Sequence, residues 1–369
     1  MRSFLLIDYI LTFRGVFVNR IDKIIPLGYN LQKESEKNMD ILKMKSGNIA
    51  DTKEKFNKRR EEIKNFLASE VYGRIPAKPE HLGADIESED RGFGGGIGIL
   101  RSFKLRITLD GEVFNLPFRS VVPSGEGKHP TIIYIGYDSA IPSKYLPAEE
   151  IVERGYGIFS LSLTDIFPEG SKQNKLFKRL VPIRKRKDSP GQIALLAWLI
   201  SRIADYAAHQ SYVDEFKLGV AGHGLLARAA LVAGGYDERF NYVILNSLEF
   251  GQKYLSRPEL FAKCFADGDG ECFDDLALAL CVPRTLIVGA ATLDVISERE
   301  KEFYALNALN APLTLFEKSG IKADCKEEEF TAAGDSVFYR LRDGTPYFSR
   351  RDWNAYMDYI DSKEAKNAK

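Results

Sequence analysis

The chain has 369 residues, 44% of them apolar, so it can bury a large core, and length alone admits anything from one large α/β domain to three small ones. Lysine plus arginine equals aspartate plus glutamate at 52 each, so no overall electrostatic pull toward nucleic acid or an acidic membrane is expected. The apolar stretch near the start is too short to span a bilayer, so no membrane-spanning segment is predicted.

At the N-terminus Arg2 precedes Phe4-Leu5-Leu6-Ile7, but Asp8 interrupts the run and no small-residue cleavage site follows cleanly. A secretory leader is therefore weakly supported, which favours a cytoplasmic location. A second reading is that translation begins at Met39, with Lys33-Glu34-Ser35-Glu36-Lys37 encoded by purine-rich codons resembling a ribosome-binding site. On either reading residues 1–45 are set apart as an N-terminal extension, disordered or not normally translated, and residues 46–369 are expected to form a single domain.

Residues 51–70 alternate charged and apolar positions at helical spacing, with Phe56, Ile63, Phe66 and Leu67 on one side and Gly73 as a stop signal. Runs at 100–109 and 113–122 are rich in strand-forming residues. They meet at Asp110-Gly111, a dipeptide that favours a tight hairpin turn through its positive φ angles. This hairpin predicts an antiparallel edge.

Beyond Pro130 the pattern changes to continuous apolar strands at 131–135, 156–161, 217–221, 242–246 and 285–289. Helices are expected between and after them at 148–154, 191–208, 225–234 and 352–360. Such alternation implies a mostly parallel α/β sheet covered by helices on both faces. No internal repeat or low-complexity linker divides it.

Three features fall outside this pattern. The basic run of Lys172, Lys175, Lys178, Arg179, Arg184, Lys185, Arg186 and Lys187 has Phe177 as its one aromatic, and it reads as a solvated loop before a polyanion patch. The four cysteines, Cys264, Cys272, Cys281 and Cys325, have neither C-x-x-C spacing nor paired histidines nearby, so free thiols are expected in place of zinc ligands. Asp267-Gly268-Asp269-Gly270-Glu271 invites a calcium reading, but Cys272 stands where an EF-hand loop requires glycine, so a polar loop is preferred. No metal and no cofactor are expected.

In a sheet of this kind catalysis sits at the carboxyl ends of the strands. The strand-to-helix turn after Val220-Ala221 reads Gly222-His223-Gly224-Leu225-Leu226-Ala227-Arg228. Upstream stand Lys58-Arg59-Arg60-Glu61-Glu62-Ile63, Val71-Tyr72-Gly73-Arg74-Ile75-Pro76, Tyr145-Leu146-Pro147, Ile151-Val152-Glu153-Arg154-Gly155-Tyr156 and Asp165-Ile166. Ala197-Trp198-Leu199, Ser201-Arg202 and Asp205-Tyr206 precede the turn, Asp237-Glu238-Arg239-Phe240 follows it, and Arg342, Gly344, Asp352 and Trp353 come near the end. In this order they resemble the glucuronoyl esterase and acetyl-xylan-esterase-like group of α/β-hydrolases over most of residues 55–360.

The resemblance implies an α/β-hydrolase fold and a carboxylic ester hydrolase site, but with its nucleophile and base replaced. The family's elbow reads Gly-His-Ser-Arg-Gly-Gly-Lys, with serine as nucleophile on a strained turn. Here Gly224 stands at the serine, Leu225 at the arginine and Leu226 at the next glycine, whereas Gly222, His223 and the basic Arg228 fit. Glycine offers no atom to attack a carbonyl, and loss of the arginine removes a cation that the resemblance implies for the oxyanion. Aligning Arg342, Gly344, Asp352 and Trp353 without a gap puts Pro346 at the general-base histidine, and proline can neither take nor return a proton. A further family histidine falls at Asp275 or its neighbour, upstream of Pro283-Arg284.

Asp294 lies where the acid of such a site is often found, with Glu298 nearby; with no histidine to orient, a surface or capping role is expected. Of the four histidines, His81 and His129 lie far along the chain from the expected loop, and His209 ends a helix where a cation suits the dipole. His223 is implied by the resemblance to be structural. The predicted function is thus an esterase-like protein that has lost catalysis and retains a carbohydrate-binding or protein-binding role. The alternative is an active hydrolase of acetyl or glucuronoyl esters with a displaced nucleophile, Ser247, and His223 as its base.

Overall fold

The computed structural model describes residues 41–168, 174–181, 188–251 and 273–367. Helix α1 (Lys53–Glu70) starts at Thr52, whose side-chain oxygen accepts a hydrogen bond from the Lys55 N–H at 3.2 Å. Phe56, Ile63 and Leu67 are fully buried, while Phe66 sits at the margin and meets Phe273 edge-on at 4.8 Å. At Gly73 the chain turns with φ +83°, and a side chain there would come within 2.3 Å of the Ser189 carbonyl oxygen. The expected stop signal is therefore also a point of close backbone approach.

The boundary set at residue 46 falls too late. Ile41 is only 7% exposed and joins the core, Arg59 Nε donates to its carbonyl at 3.1 Å, and Lys43 bridges to Ile49. A single buried isoleucine in a polar stretch carries no periodic signal, which is why the sequence places 41–45 outside.

Strand β1 (His81–Asp90) is an exposed edge paired antiparallel to β2 (Gly98–Leu109), which forms the hairpin with β3 (Glu112–Pro123). Asp110 (φ +49°) and Gly111 (φ +76°) make the two-residue turn with both centres left-handed, as the dipeptide predicts. Then follow β4 (His129–Gly136), α2 (Ala148–Glu153), β5 (Gly157–Ser162), α3 (Gln192–Ala207), β6 (Val213–His223), α4 (Leu225–Tyr236) and β7 (Phe240–Asn246). The chain continues through α5 (Asp274–Ala279), β8 (Thr285–Ala291), α6 (Arg299–Ala308), β9 (Phe330–Ala333), β10 (Val337–Arg342) and α7 (Arg350–Asn367). The ten strands form one sheet in the order β1-β2-β3-β5-β4-β6-β7-β8-β10-β9, parallel from β5 through β10 and antiparallel at both margins.

Alternation along the central strands sends successive side chains into two separate cores. Ile133, Ile135, Val220 and Val243 pack on the side covered by α1, α3, α4, α5 and α6, whereas Ile132, Tyr134, Ala221 and Ile244 face α2 and α7. Both faces are thus covered, as continuous apolar strands require. The sequence passes over β1, because alternating charges suit a solvent-facing edge and offer no apolar run, and also β9 and β10.

In the basic run, Arg179 pairs with Asp110. Lys172 and Arg184 to Lys187 lie outside the described residues, as do Cys264, Cys272 and the Asp267–Glu271 stretch; Cys281 and Cys325 are free thiols. Among the described residues no helix is long and apolar enough to cross a membrane, and no group of three acidic, histidine or cysteine side chains is placed to hold a metal.

Replacing Ile41 by alanine is expected to cost about 2 kcal/mol, the lower end for a buried isoleucine, read as a lowered urea midpoint with unchanged slope.

Candidate active site

The turn between β6 and α4 is built by two glycines. A side chain at Gly222 would stand 2.4 Å from the Leu226 carbonyl oxygen, so the first turn of α4 closes directly on the strand end. Gly224 has φ +60° and ψ −131°, a conformation nearly confined to glycine; its N–H donates to the Asn246 carbonyl at 2.9 Å. A Cβ on Gly224 would lie 3.0 Å from Tyr137 Oη and 3.2 Å from Glu249 Oε1. The strand end thus makes a sharp turn into the helix, and the residue at its apex carries a hydrogen atom in place of a side chain.

Glu249 and Tyr137 are the residues the sequence does not single out. Tyr137 follows β4 and its hydroxyl donates to the His223 carbonyl at 3.4 Å; Glu249 follows β7, the neighbour of β6. Neither lies in a motif, so the signal is only that β4 and β7 flank β6 and end at the same rim of the sheet.

Behind the turn, Arg228 is 2% exposed and forks onto both oxygens of Asp274, one at 2.9 Å. The same guanidinium donates to the Glu249 carbonyl at 2.9 Å, and Asp274 Oδ2 also accepts from the Gly251 N–H at 3.1 Å. This buried pair fixes α4, the segment after β7 and the start of α5 to one another. Beside it Asp275 is half buried, and burial lifts its carboxyl to about 6.

His223 is buried and its Nδ1 lies 2.8 Å from Asn246 Oδ1, while Asn246 Nδ2 donates to Tyr356 Oη at 2.8 Å. With the amide so oriented, Nδ1 carries the ring proton. Burial pushes the imidazole below its ordinary range, so it stays neutral. Ser247 follows Asn246 with φ +49°, is 3% exposed, and donates its N–H to Gly289 O at 2.6 Å. Among the described residues no hydrogen bond joins His223 to Ser247; the imidazole is committed to Asn246. Elsewhere His209 Nδ1 contacts the Asp205 carbonyl at 2.7 Å at the end of α3, the capping role its position predicts.

The loop after β10 comes to the same rim. Arg342 donates to the carbonyls of Thr345 (2.7 Å) and Tyr347 (3.2 Å) and pairs with Asp352 at 3.4 Å. Ser349 and Asp352 cap α7 reciprocally, each side chain accepting from the other's backbone N–H. Pro346 sits half-buried in this loop, two residues from Phe348, whose ring lies 6.4 Å from that of His223 and stacks on Trp353 at 4.3 Å. The residues Arg342, Asp352 and Trp353 therefore shape the loop.

Asp294 is not a surface group: it is 6% exposed, and its Oδ1 accepts from the N–H groups of Ile296 (2.9 Å) and Ser297 (3.2 Å). It caps its own turn, and Glu298 immediately precedes α6. One turn into α6, Glu302 is fully buried with neither carboxyl oxygen hydrogen-bonded among the described residues. Burial first, then the neighbouring charges of Asp294 and Asp274, lift its carboxyl to about 8.

No family model matches the sequence. Among curated proteins, carbohydrate esterase MZ0003 from an unknown prokaryotic organism is 28% identical over 237 residues, 58% of this chain and 55% of that protein. The 4-O-methyl-glucuronoyl methylesterase of Podospora anserina is 24% identical over 198 residues, 53% of this chain and 37% of that protein. The chain thus spans about half or less of the length of these relatives. Among solved structures, a glucuronoyl esterase from Solibacter usitatus superposes with a TM-score of 0.77 at 25% identity, covering 91% of this chain and 98% of that one. One from Teredinibacter turnerae T7901 gives 0.75 at 17% identity, covering 94% and 93%. The sheet order and the β6–α4 turn define an α/β-hydrolase. Within that class the chain is similar to glucuronoyl esterases and to a carbohydrate esterase in sequence and in structure.

The Glu302 carboxyl keeps its proton to about pH 8 in the folded protein, whereas the unfolded chain releases it near its ordinary 4.5. Its contribution to stability is full below pH 4.5 and is lost, by an order of a few kcal/mol, as pH rises through 8. Glu302→Gln is expected to flatten the fall in urea-unfolding free energy across that window.

Proposed function

We propose that this chain is a non-catalytic member of its group, a hydrolase scaffold that holds a uronoyl carbohydrate without cleaving it. The single observation that carries the reading is Gly224: at the turn where acyl transfer requires a nucleophile there is no side chain. Pro346 in the loop beside it supplies no proton acceptor, a second and independent change in the same machinery. The ligand class is taken from the names of the relatives, which act on 4-O-methyl-glucuronoyl esters.

Loss of a triad nucleophile or base lowers the rate on the order of a millionfold, about 8 kcal/mol, and losses within one triad overlap. The residual electrostatic effect, about a thousandfold over water, is no working esterase. A panel of acetyl and 4-O-methyl-glucuronoyl esters run on wild type and on a Gly224→Ser, Pro346→His double variant is expected to give background rates for the first. The second is expected to gain turnover once Glu249 gives way by a few tenths of an ångström. Robust hydrolysis by the wild type overturns the reading.

One observation favours a second reading, an active ester hydrolase with a displaced nucleophile: Ser247 holds a left-handed backbone at the end of β7, a strained strand end of the kind that presents nucleophiles. On that reading a fluorophosphonate probe labels the wild type and not Ser247→Ala. Absence of labelling removes it.

A further inference from the structure

Beside the elbow, two tyrosines remain half exposed while the aromatic rings behind them are fully buried. Tyr145 follows β4 and Tyr347 follows β10, so both stand at the rim where the parallel strands end. Their ring centroids are 4.9 Å apart at 58°, and the Tyr145 ring lies 5.4 Å from that of His223, the residue before Gly224. Core packing accounts for Phe348, Trp353 and Tyr356, which are sealed from solvent. Tyr145 packs partly against that core, which does not account for the half of each ring left facing water.

The pair is held in place from several directions. Tyr347 Oη donates to the Lys144 carbonyl at 2.7 Å, and Trp353 Nε1 donates to the Tyr145 carbonyl at 2.9 Å. Ser143 Oγ accepts from the N–H groups of Tyr145 (3.3 Å) and Leu146 (3.1 Å), and Arg342 holds the Tyr347 carbonyl from the other side. Rings fixed this way lose little freedom when a ligand settles on them.

Charged groups border the rings. The exposed Lys144 ammonium sits 5.4 Å from the Tyr145 centroid and has no carboxylate partner among the described residues. Exposed Asp138, whose Oδ1 accepts from the Ala140 N–H at 3.0 Å, is close enough to act electrostatically on the Tyr145 hydroxyl.

We propose that Tyr145 and Tyr347 form a platform for the pyranose ring of a uronic acid residue, with Lys144 pairing with its carboxylate and Asp138 accepting from ring hydroxyls. The apolar C–H face of a pyranose suits an aromatic surface, and a carboxylate suits the ammonium of the exposed Lys144, which lies over the Tyr145 ring and swings aside on its flexible stem. The proposal rests on the carbohydrate-binding reading above and adds the residues and the charge of the ligand.

Ligand-observed NMR titration of the full chain, suited to weak binding, tests it with 4-O-methyl-glucuronic acid and neutral 4-O-methyl-glucose. Tyr145→Ala and Tyr347→Ala, checked for folding by circular dichroism, are expected to weaken both sugars at least tenfold. Lys144→Met, at an exposed position that folding does not depend on, is expected to weaken the acid about tenfold and leave the neutral sugar unchanged. Wild-type binding that survives all three substitutions overturns the platform and leaves the carbohydrate reading standing. No binding of either sugar to the wild type overturns both.

Discussion

The buried pair of Arg228 and Asp274 is the constraint from which the site's shape follows. A guanidinium and a carboxylate withdrawn from water stay together because separation would leave an uncompensated charge inside, at a cost of about 3–5 kcal/mol. The pair gains its directional value from the extra bonds at 2.9 and 3.1 Å to the Glu249 carbonyl and the Gly251 N–H. Through them a helix on one face of the sheet dictates where the segment after β7 leaves the sheet, and hence where the Glu249 carboxylate stands relative to Gly224. The relation between a basic residue four positions past the turn and the turn itself is thus architectural in this chain.

A second constraint acts across the sheet. Trp353 anchors the Tyr145 carbonyl, Arg342 gathers the loop carbonyls, and the reciprocal cap of Ser349 and Asp352 sets the start of α7. Three of the four residues that carry the resemblance near the C-terminus thereby hold a loop whose central residue, Pro346, has no proton chemistry. The loop's shape is therefore set by side chains flanking Pro346, so it does not depend on which residue stands at its centre.

Much of this was legible in the sequence where the chemistry is local. The Asp110-Gly111 turn, the apolar run ending at Ile135 and the crowded Gly222-His223-Gly224 turn each state their conformation in a few adjacent residues. What escaped depends on distant partners. Strand β1 is charged because it lies at an edge, and only its pairing with β2 makes it a strand. Ile41 declares itself through a core formed by residues far along the chain. Glu249 becomes notable only when β7 is laid beside β6, and the half-exposed pair of Tyr145 and Tyr347 unites segments about two hundred positions apart. Asp294 was expected at the surface or as a cap; it caps, and its burial was not legible from its neighbours in the chain.

The conformation at Gly224 bears on how such a protein ages over evolutionary time. Any residue with a Cβ held at φ +60° and ψ −131° stores about 1–3 kcal/mol of backbone strain, and glycine releases it. With glycine the turn is free of that tension, a reserve of stability that lets a chain absorb destabilising substitutions at other positions. Placing any larger side chain at this point would draw down that reserve.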